Sequence, residues 1–378
     1  MDTFELIVPT LFGIEAVTAS EIKRLGYEIT KTTDGRVTFL GDYNAVCESN
    51  INIRTGERVL IKIAQFKATT FDELFEKTKM ADWKRWLNKD CAFPVKGFSV
   101  KSQLHSVPDC QSIIKKSIVD ALKETFNTDT LPETGEKRQI EFSIIRDEVT
   151  IMLDTTGDPL HKRGYRIKHN AAPIRETLAA AISLLSHFNY NTVMADPFCG
   201  SGTFPIECAM IAKNIAPGIN REFSAMNFKE IDRRLWKDAK EEALDNVRHD
   251  AKLQIIASDI DKMSVNLTKQ NAKNAGVSDM ITAFQSPVSE FECDIKGGSL
   301  ICNPPYGERL LEQKSCERIY SQIGEVYSRL DNWGFFVLTP SEKFEDLFGV
   351  PAQKKRKLYN GMIKCCLYEY FPKKEKIE

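Results

Sequence analysis

The chain lacks the spacings that announce a metal site or a redox dithiol. Its ten cysteines include no CxxC pair and its five histidines no HxxxH pair, so zinc is not expected. Cys365 and Cys366 are adjacent, while Cys199, Cys208, Cys293 and Cys302 stand singly in apolar segments. Such thiols in a long chain are expected to be reduced and mostly buried, as in a cytoplasmic protein. No apolar run is long enough to span a bilayer, and MDTFELIVPTLFGIE places an acidic residue where an export signal needs basic ones. Neither a membrane span nor secretion is therefore expected. Charge of one sign is also missing: 52 Lys and Arg stand against 53 Asp and Glu. Composition alone does not mark a nucleic-acid binder, and the basic clusters Lys115-Lys116, His161-Lys162-Arg163 and Lys354-Lys355-Arg356-Lys357 each read first as solvated faces. There is no internal repeat and no low-complexity linker.

What is present is a chain of 378 residues, 42% hydrophobic, which calls for two or three domains with real cores. FELIVPT reads as a strand. Residues 13–25 follow as a helix with Ile14, Val17, Ile22 and Leu25 on one face and Gly26 as its stop, and RVTFLG is a strand after an Asp34-Gly35 turn. This is a small α+β unit to about residue 65. GFSVKSQLH alternates as a strand, VPDC interrupts it, and SIIKKSIVDALKETF is an amphipathic helix with Ser112 as its N-cap. QIEFSIIRDEVTIMLDTTG is two strands around Arg146-Asp147-Glu148. From about residue 165 helices and strands alternate, which predicts a mostly parallel sheet covered on both faces. KKRKLYNGMIKCCLYEYF ends the chain as a hairpin around Asn360-Gly361.

Two stretches carry chemistry. ADPFCGSGTFP (195–205) follows the first strand of the α/β region. Gly200 and Gly202 allow a ligand close to the backbone. No lysine completes a Walker loop, and Pro205 stands where a dinucleotide fingerprint wants its third glycine. Asp196 at the strand end would repel a pyrophosphate but accept an ammonium, and Asp259 at the next strand end is placed for two ribose hydroxyls. That combination fits S-adenosyl-L-methionine; the plainer alternative is that both aspartates only cap helices. In ICNPPYGE (301–308), Pro304-Pro305 stops a buried strand. The turn then presents Asn303 and Tyr306. An exocyclic amino group is a poor nucleophile. Asn303 Oδ1 and the Pro304 carbonyl, stiffened by Pro305, can accept its two N–H bonds and favour a pyramidal nitrogen, with Tyr306 as a stacking face.

DPFCGSGT (196–203) with NPPYGERL (303–310) resembles the amino-methyltransferase branch of the Rossmann-type S-adenosyl-L-methionine enzymes. LHKRGYRIKHNAAPIRETLAAAI (160–182) narrows the resemblance to the THUMP-domain RNA methyltransferases, of the type of the bacterial guanine-N2 methyltransferases of 23S rRNA (RlmL type, N-terminal half). It covers essentially the whole chain. The resemblance implies a ferredoxin-like unit over 1–65, a THUMP RNA-binding domain over 66–158 and a methyltransferase domain over 165–378. It places Asp196, Phe198, Gly200, Gly202, Thr203, Asp259, Ile260, Ser286 and Asn303 around the cofactor, and Asn303, Pro304, Pro305 and Tyr306 at the reaction. Lys115, Lys116, Lys162, Arg163 and Tyr165 are candidate RNA contacts. One departure concerns adenine: where the family often has an acidic or amide residue, QSPVSEF (285–291) offers Pro287, so Ser286 or a backbone group must substitute. Ribosomal RNA is the expected partner. Transfer RNA, adenine-N6 methylation of RNA or DNA, a protein glutamine, and a non-catalytic RNA-binding assembly factor remain open.

Overall fold

FELIVP alternates about a backbone whose one face must be buried, and it becomes β1, Phe4–Pro9, at the middle of a seven-stranded sheet. A computed structural model describes residues 3–166, 173–307 and 310–372. Residues 167–172 of the stretch 160–182, Glu308-Arg309 of NPPYGERL, and residues 373–378 lie outside the described residues.

The first sheet contains β1, β2 (Ile29–Thr33), β3 (Arg36–Gly41), β4 (Leu60–Lys67), β5 (Val95–Val100), β6 (Ile140–Ile145) and β7 (Glu148–Asp154), in the order β2-β3-β1-β4-β7-β6-β5. β5 and β6 are parallel and the other pairs antiparallel. β4 pairs with β1 on one side and β7 on the other. One sheet thus runs through the first 154 residues, and the division placed at residue 65 falls inside β4. Helices Glu15–Arg24, Tyr43–Asn52, Phe71–Lys79 and Val107–Phe126 contribute to the core against this sheet.

Two turns differ from expectation. The helix predicted from Ser112 begins at Val107, because VPDC is its first turn and proline is tolerated where the N–H has no intrahelical partner. Ser112 is not a cap; its hydroxyl bonds back to the Pro108 carbonyl at 3.0 Å. The C-terminal hairpin pairs Asn360 with Ile363, so its two-residue loop is Gly361-Met362, one residue later than expected. Gly361 has φ +63°, which glycine adopts without strain at the first position of such a loop.

The second sheet contains β8 (Val193–Asp196), β9 (Gln254–Asp259), β10 (Ile281–Gln285), β11 (Gly298–Cys302), β12 (Gly334–Thr339), β13 (Lys354–Asn360) and β14 (Ile363–Tyr370). Its order is β10-β9-β8-β11-β12-β14-β13. The first five strands are parallel, and β14 runs antiparallel between β12 and β13. β11 and β12 are buried throughout, as parallel strands covered on both faces must be. The strand order reverses between β8 and β11, which defines the crevice where open α/β sheets bind ligands.

The seam between the two sheets is a shared core. The helix Arg233–Asp245 is charged on one face, yet Trp236, Ala239 and Ala243 pack with Phe223 and Phe228 into the first core. Phe223 and Trp236 stack at 5.4 Å. Arg138 is fully buried there, paired with Glu136 and Glu230. Among the described residues no helix is long and apolar enough to cross a membrane. None of the ten cysteines is in a disulfide, and eight of them are buried.

Candidate active site

β8 ends at Asp196 and the chain turns at once through Pro197–Gly202 into the helix Thr203–Ala212. Gly202 sits at φ +88°, and a Cβ there would come within 3.0 Å of Thr268. Glycine is needed for both reasons. Gly200 is also left-handed at φ +53°, and a Cβ on it would meet nothing closer than a carbonyl at 4.0 Å, so the space above it is open. The loop is pinned from behind: Thr268 Oγ1 donates to the Gly200 carbonyl at 3.0 Å and Asn271 Nδ2 to the Ser201 carbonyl at 2.9 Å.

The glycine loop and the end of β9 form one structure. Gly200 N–H donates to Asp259 Oδ2 at 3.0 Å and Asp261 N–H to Asp259 Oδ1 at 2.9 Å. Each carboxylate oxygen keeps a further lone pair for a ribose hydroxyl. Ser286 N–H donates to the Asp259 carbonyl at 3.1 Å, and the Ser286 hydroxyl leans on the Pro287 carbonyl at 3.3 Å. Ile260 is 72% exposed beside them, an apolar face for a planar ring. Phe198 is half-buried and its N–H donates to Asp196 Oδ1 at 3.0 Å. Thr203 lies beneath the loop with its hydroxyl engaged by Arg166 at 2.7 Å.

Asp196 is 1% exposed. Burial pushes its carboxyl well above the usual range; the Phe198 N–H opposes this and the charge on Asp259 adds to it. A cation placed beside it would restore the carboxylate. Ser201 Oγ and Ser258 Oγ are also buried there, without a partner among the described residues. Open space over Gly200, two unpartnered hydroxyls, a carboxyl short of a cation and a half-satisfied second carboxylate together fit a sulfonium amino-acid nucleoside. Asp259→Asn keeps the shape and removes the charge. It is expected to weaken binding of the cofactor by roughly tenfold, the scale of one charge-assisted bond; unchanged calorimetric affinity would remove Asp259 from the ribose role.

On the other side of the crevice, β11 pairs with β8 through Leu300 and Ala195, which sets Asn303 beside the glycine loop. The loop after it is braced in a way the sequence did not suggest. Tyr320, 2% exposed, donates its hydroxyl to the Pro305 carbonyl at 3.0 Å and contacts Thr339 Oγ1 at 3.0 Å. Among the described residues no donor is bonded to the Pro304 carbonyl. Tyr306, the expected stacking residue, is held in place from two sides. Its hydroxyl donates to Asn303 Oδ1 at 2.5 Å and accepts from Asn360 Nδ2 at 3.2 Å, and its ring packs against the second core. Burial pushes the phenol up, so it stays a donor. One lone pair of Asn303 Oδ1 is thereby used and one is free. Tyr320 and Asn360 were invisible in the sequence because each is a lone polar residue far along the chain.

The expected RNA contacts divide. Arg163 and Tyr165 are each 4% exposed and cannot touch RNA. Arg163 Nε and the Tyr165 hydroxyl converge on Glu207 Oε1 at 3.4 and 3.1 Å, inside the seam. Lys115 is held by Glu133 and by the Phe93 carbonyl, over the Phe93 ring. Lys116 lies 5.8 Å from the centre of the Phe75 ring, which belongs to the neighbouring helix Phe71–Lys79. Lys162 is exposed and pairs only with Asp158 at 3.0 Å.

This fold and loop pair define a methyltransferase, and S-adenosyl-L-methionine is the cofactor of that class. Family models match the chain as an RlmL ferredoxin-like domain over residues 5–60, a THUMP domain over 68–154 and an RMKL-like methyltransferase domain over 163–369. The last covers more than half of the chain, which belongs to that family. The chain is 46% identical to the Bacillus subtilis (strain 168) protein named "Putative RNA methyltransferase YpsC", covering 99% of this chain and 97% of that one. It is 30% identical to the Ribosomal RNA large subunit methyltransferase K/L of Psychromonas ingrahamii, covering 98% of this chain and 51% of that one. The chain thus spans about half the length of its K/L relatives. The crystal structure of SMU.472, described as "a putative methyltransferase complexed with SAH", matches all of both chains at TM-score 0.94 and 41% identity. A Listeria monocytogenes str. 4b F2365 structure, described as "a predicted N6-adenine-specific DNA methylase", matches 99% of this chain and 97% of its own at TM-score 0.94 and 45% identity.

Proposed function

We propose that this protein transfers a methyl group from S-adenosyl-L-methionine to the exocyclic N2 of a guanine in 23S rRNA. One observation carries the reading: Asn303 and the Pro304 carbonyl, to which no described residue donates, follow the strand at the switch point of the sheet, beside the glycine loop. When bound, the cofactor supplies an electrophilic methyl on a sulfonium. The free lone pair of Asn303 Oδ1 and the Pro304 carbonyl accept the two N–H bonds of the base amine. The nitrogen lone pair is thereby turned away from ring conjugation. Pro304, Pro305 and the Tyr320 hydroxyl hold that carbonyl geometry before substrate arrives. Tyr306 forms one wall for the base, which must leave its stack to enter, at roughly a few kcal/mol.

RNA is favoured as substrate by the THUMP match over residues 68–154 and by the names of the relatives. Guanine N2 rests on the family resemblance alone. A second reading, adenine-N6 methylation, is favoured by the description of the Listeria structure. The test is mass spectrometry of nucleosides from purified 23S rRNA, transfer RNA and DNA of a strain lacking the gene. Loss of N2-methylguanosine from 23S rRNA is the expected result. Loss of N6-methyladenosine with N2-methylguanosine intact would overturn it in favour of the second reading, and loss of N2-methylguanosine from transfer RNA alone would move the substrate.

A further inference from the structure

At the seam between the two sheets lies a cleft of about 700 Å³, lined by His161, Lys162, Arg166, Arg175 and Arg221 among others. Three carboxylates also line it: Asp158 and Glu176 are each taken by a cation, at 3.0 Å from Lys162 and 3.3 Å from Arg166, and Glu222 stands beside Arg221. Two donors on its wall have no partner among the described residues although they are buried: Arg166 Nε and Arg221 Nη1. The Arg166 side chain is only 10% exposed. Its other end holds Thr203 Oγ1 at 2.7 Å and the Ile174 carbonyl at 3.3 Å, which fixes the guanidinium. Arg221 is anchored by one bond to the Asp158 carbonyl and lies over the Phe223 ring at 5.1 Å. It has no carboxylate within ion-pair distance among the described residues. Burial and the nearby Arg163 lower its pKa to about 10, as expected for a cation short of an anion.

Buried unpaired guanidinium donors are costly unless a ligand satisfies them. One remaining donor on each of two guanidinium groups lining one cleft can meet two oxygens of a phosphate. The cleft is lined by the segment 158–166, which follows the THUMP match, and by residues 173–176 and 221–222 of the methyltransferase match. Through Arg166 it touches the first residue of the helix that follows the glycine loop. We propose that this cleft binds a phosphodiester group of the substrate RNA between Arg166 and Arg221, with Lys162 on its rim. The proposal rests on the RNA reading above. It adds a place where the strand is held beside the start of the glycine-loop helix.

The experiment uses the full chain and a fluorescent single-stranded RNA oligonucleotide. Binding is followed by anisotropy across a salt series, with calorimetry of S-adenosyl-L-methionine in parallel. Arg221→Gln should weaken RNA binding about tenfold and reduce the slope of log K against log salt by about one, the signature of one lost phosphate contact. Cofactor affinity should stay within about twofold of wild type, since Arg221 does not touch that site. Arg221→Lys, which keeps the charge, should recover most of the affinity. If Arg221→Gln proves unstable, Lys162→Gln on the exposed rim should still lower affinity about threefold with a smaller slope. Unchanged affinity and slope in both glutamine variants, with RNA still bound and methylated, would overturn the cleft and leave the RNA reading standing. Failure of the wild-type protein to bind RNA at any salt would overturn both. Excess inorganic phosphate competing as well as the oligonucleotide would show a free-phosphate site instead.

Discussion

Asn303→Ala is expected to lower kcat by roughly 10²–10³-fold, the loss seen when one preorganised hydrogen-bonding group is taken from a site of developing charge. Cofactor affinity should stay within about twofold. The substitution removes the acceptor for one amine N–H and also frees the Tyr306 hydroxyl, which now donates to Asn303 Oδ1. Tyr306→Phe separates the two effects, because it removes that bond and keeps the ring. Single-turnover methyl transfer with excess enzyme reads the chemical step directly, and calorimetry reads the cofactor. If Asn303→Ala turned over at near wild-type rate, the amide-acceptor mechanism would be wrong. If Tyr306→Phe lost as much as Asn303→Ala, the hydroxyl rather than the amide would be the group that matters.

The second large effect is on stability. Arg163 is 4% exposed. It donates to the Leu160 carbonyl at 2.7 Å and the Arg54 carbonyl at 2.5 Å, and faces Glu207. It therefore bolts the strand module to the helix that follows the glycine loop. Glu207 is fully buried, and its Oε2 already has no partner among the described residues. Arg163→Ala would leave that carboxylate with only the Tyr165 hydroxyl. Breaking one side of such a pair costs about 3–5 kcal/mol, because a buried charge is left uncompensated. Urea unfolding should show the loss, and a change under about 1 kcal/mol would mean that the seam relaxes around the gap. A loss of RNA affinity with unchanged stability would restore the direct RNA role that burial argues against.

The contrast between Arg163 and Arg166 shows what a linear reading can reach. HKRGYR marks the segment as unusual, but its spacing cannot say which arginine turns inward. Packing against Glu207 decided that Arg163 and Tyr165 are buried, while Arg166, one residue further, reaches the glycine-loop helix. The same limit applies to Lys115, which looked like a free cation and is tied to Glu133 by a loop folded beside it. Local signals fared better where the chemistry is local. Pro304-Pro305 must end a strand, and β11 stops at Cys302 just before them; Gly200 and Gly202, read as a point of close approach, both take positive φ. The Ser112 cap failed because Pro108 made an equally good helix start one turn earlier.

The sequence by itself determined the alternating α/β pattern, the glycine loop, the two strand-end aspartates and the Asn-Pro-Pro-Tyr turn. Each depends on backbone geometry that neighbouring residues impose. Only the tertiary structure decided that β8 and β11 lie side by side at the reversal of strand order, which brings Asn303 to the loop. It alone placed Tyr320 under the Pro305 carbonyl and two unpartnered arginine donors in one cleft. Those pairings join residues far apart in the chain, and long-range packing has no counterpart in local sequence order.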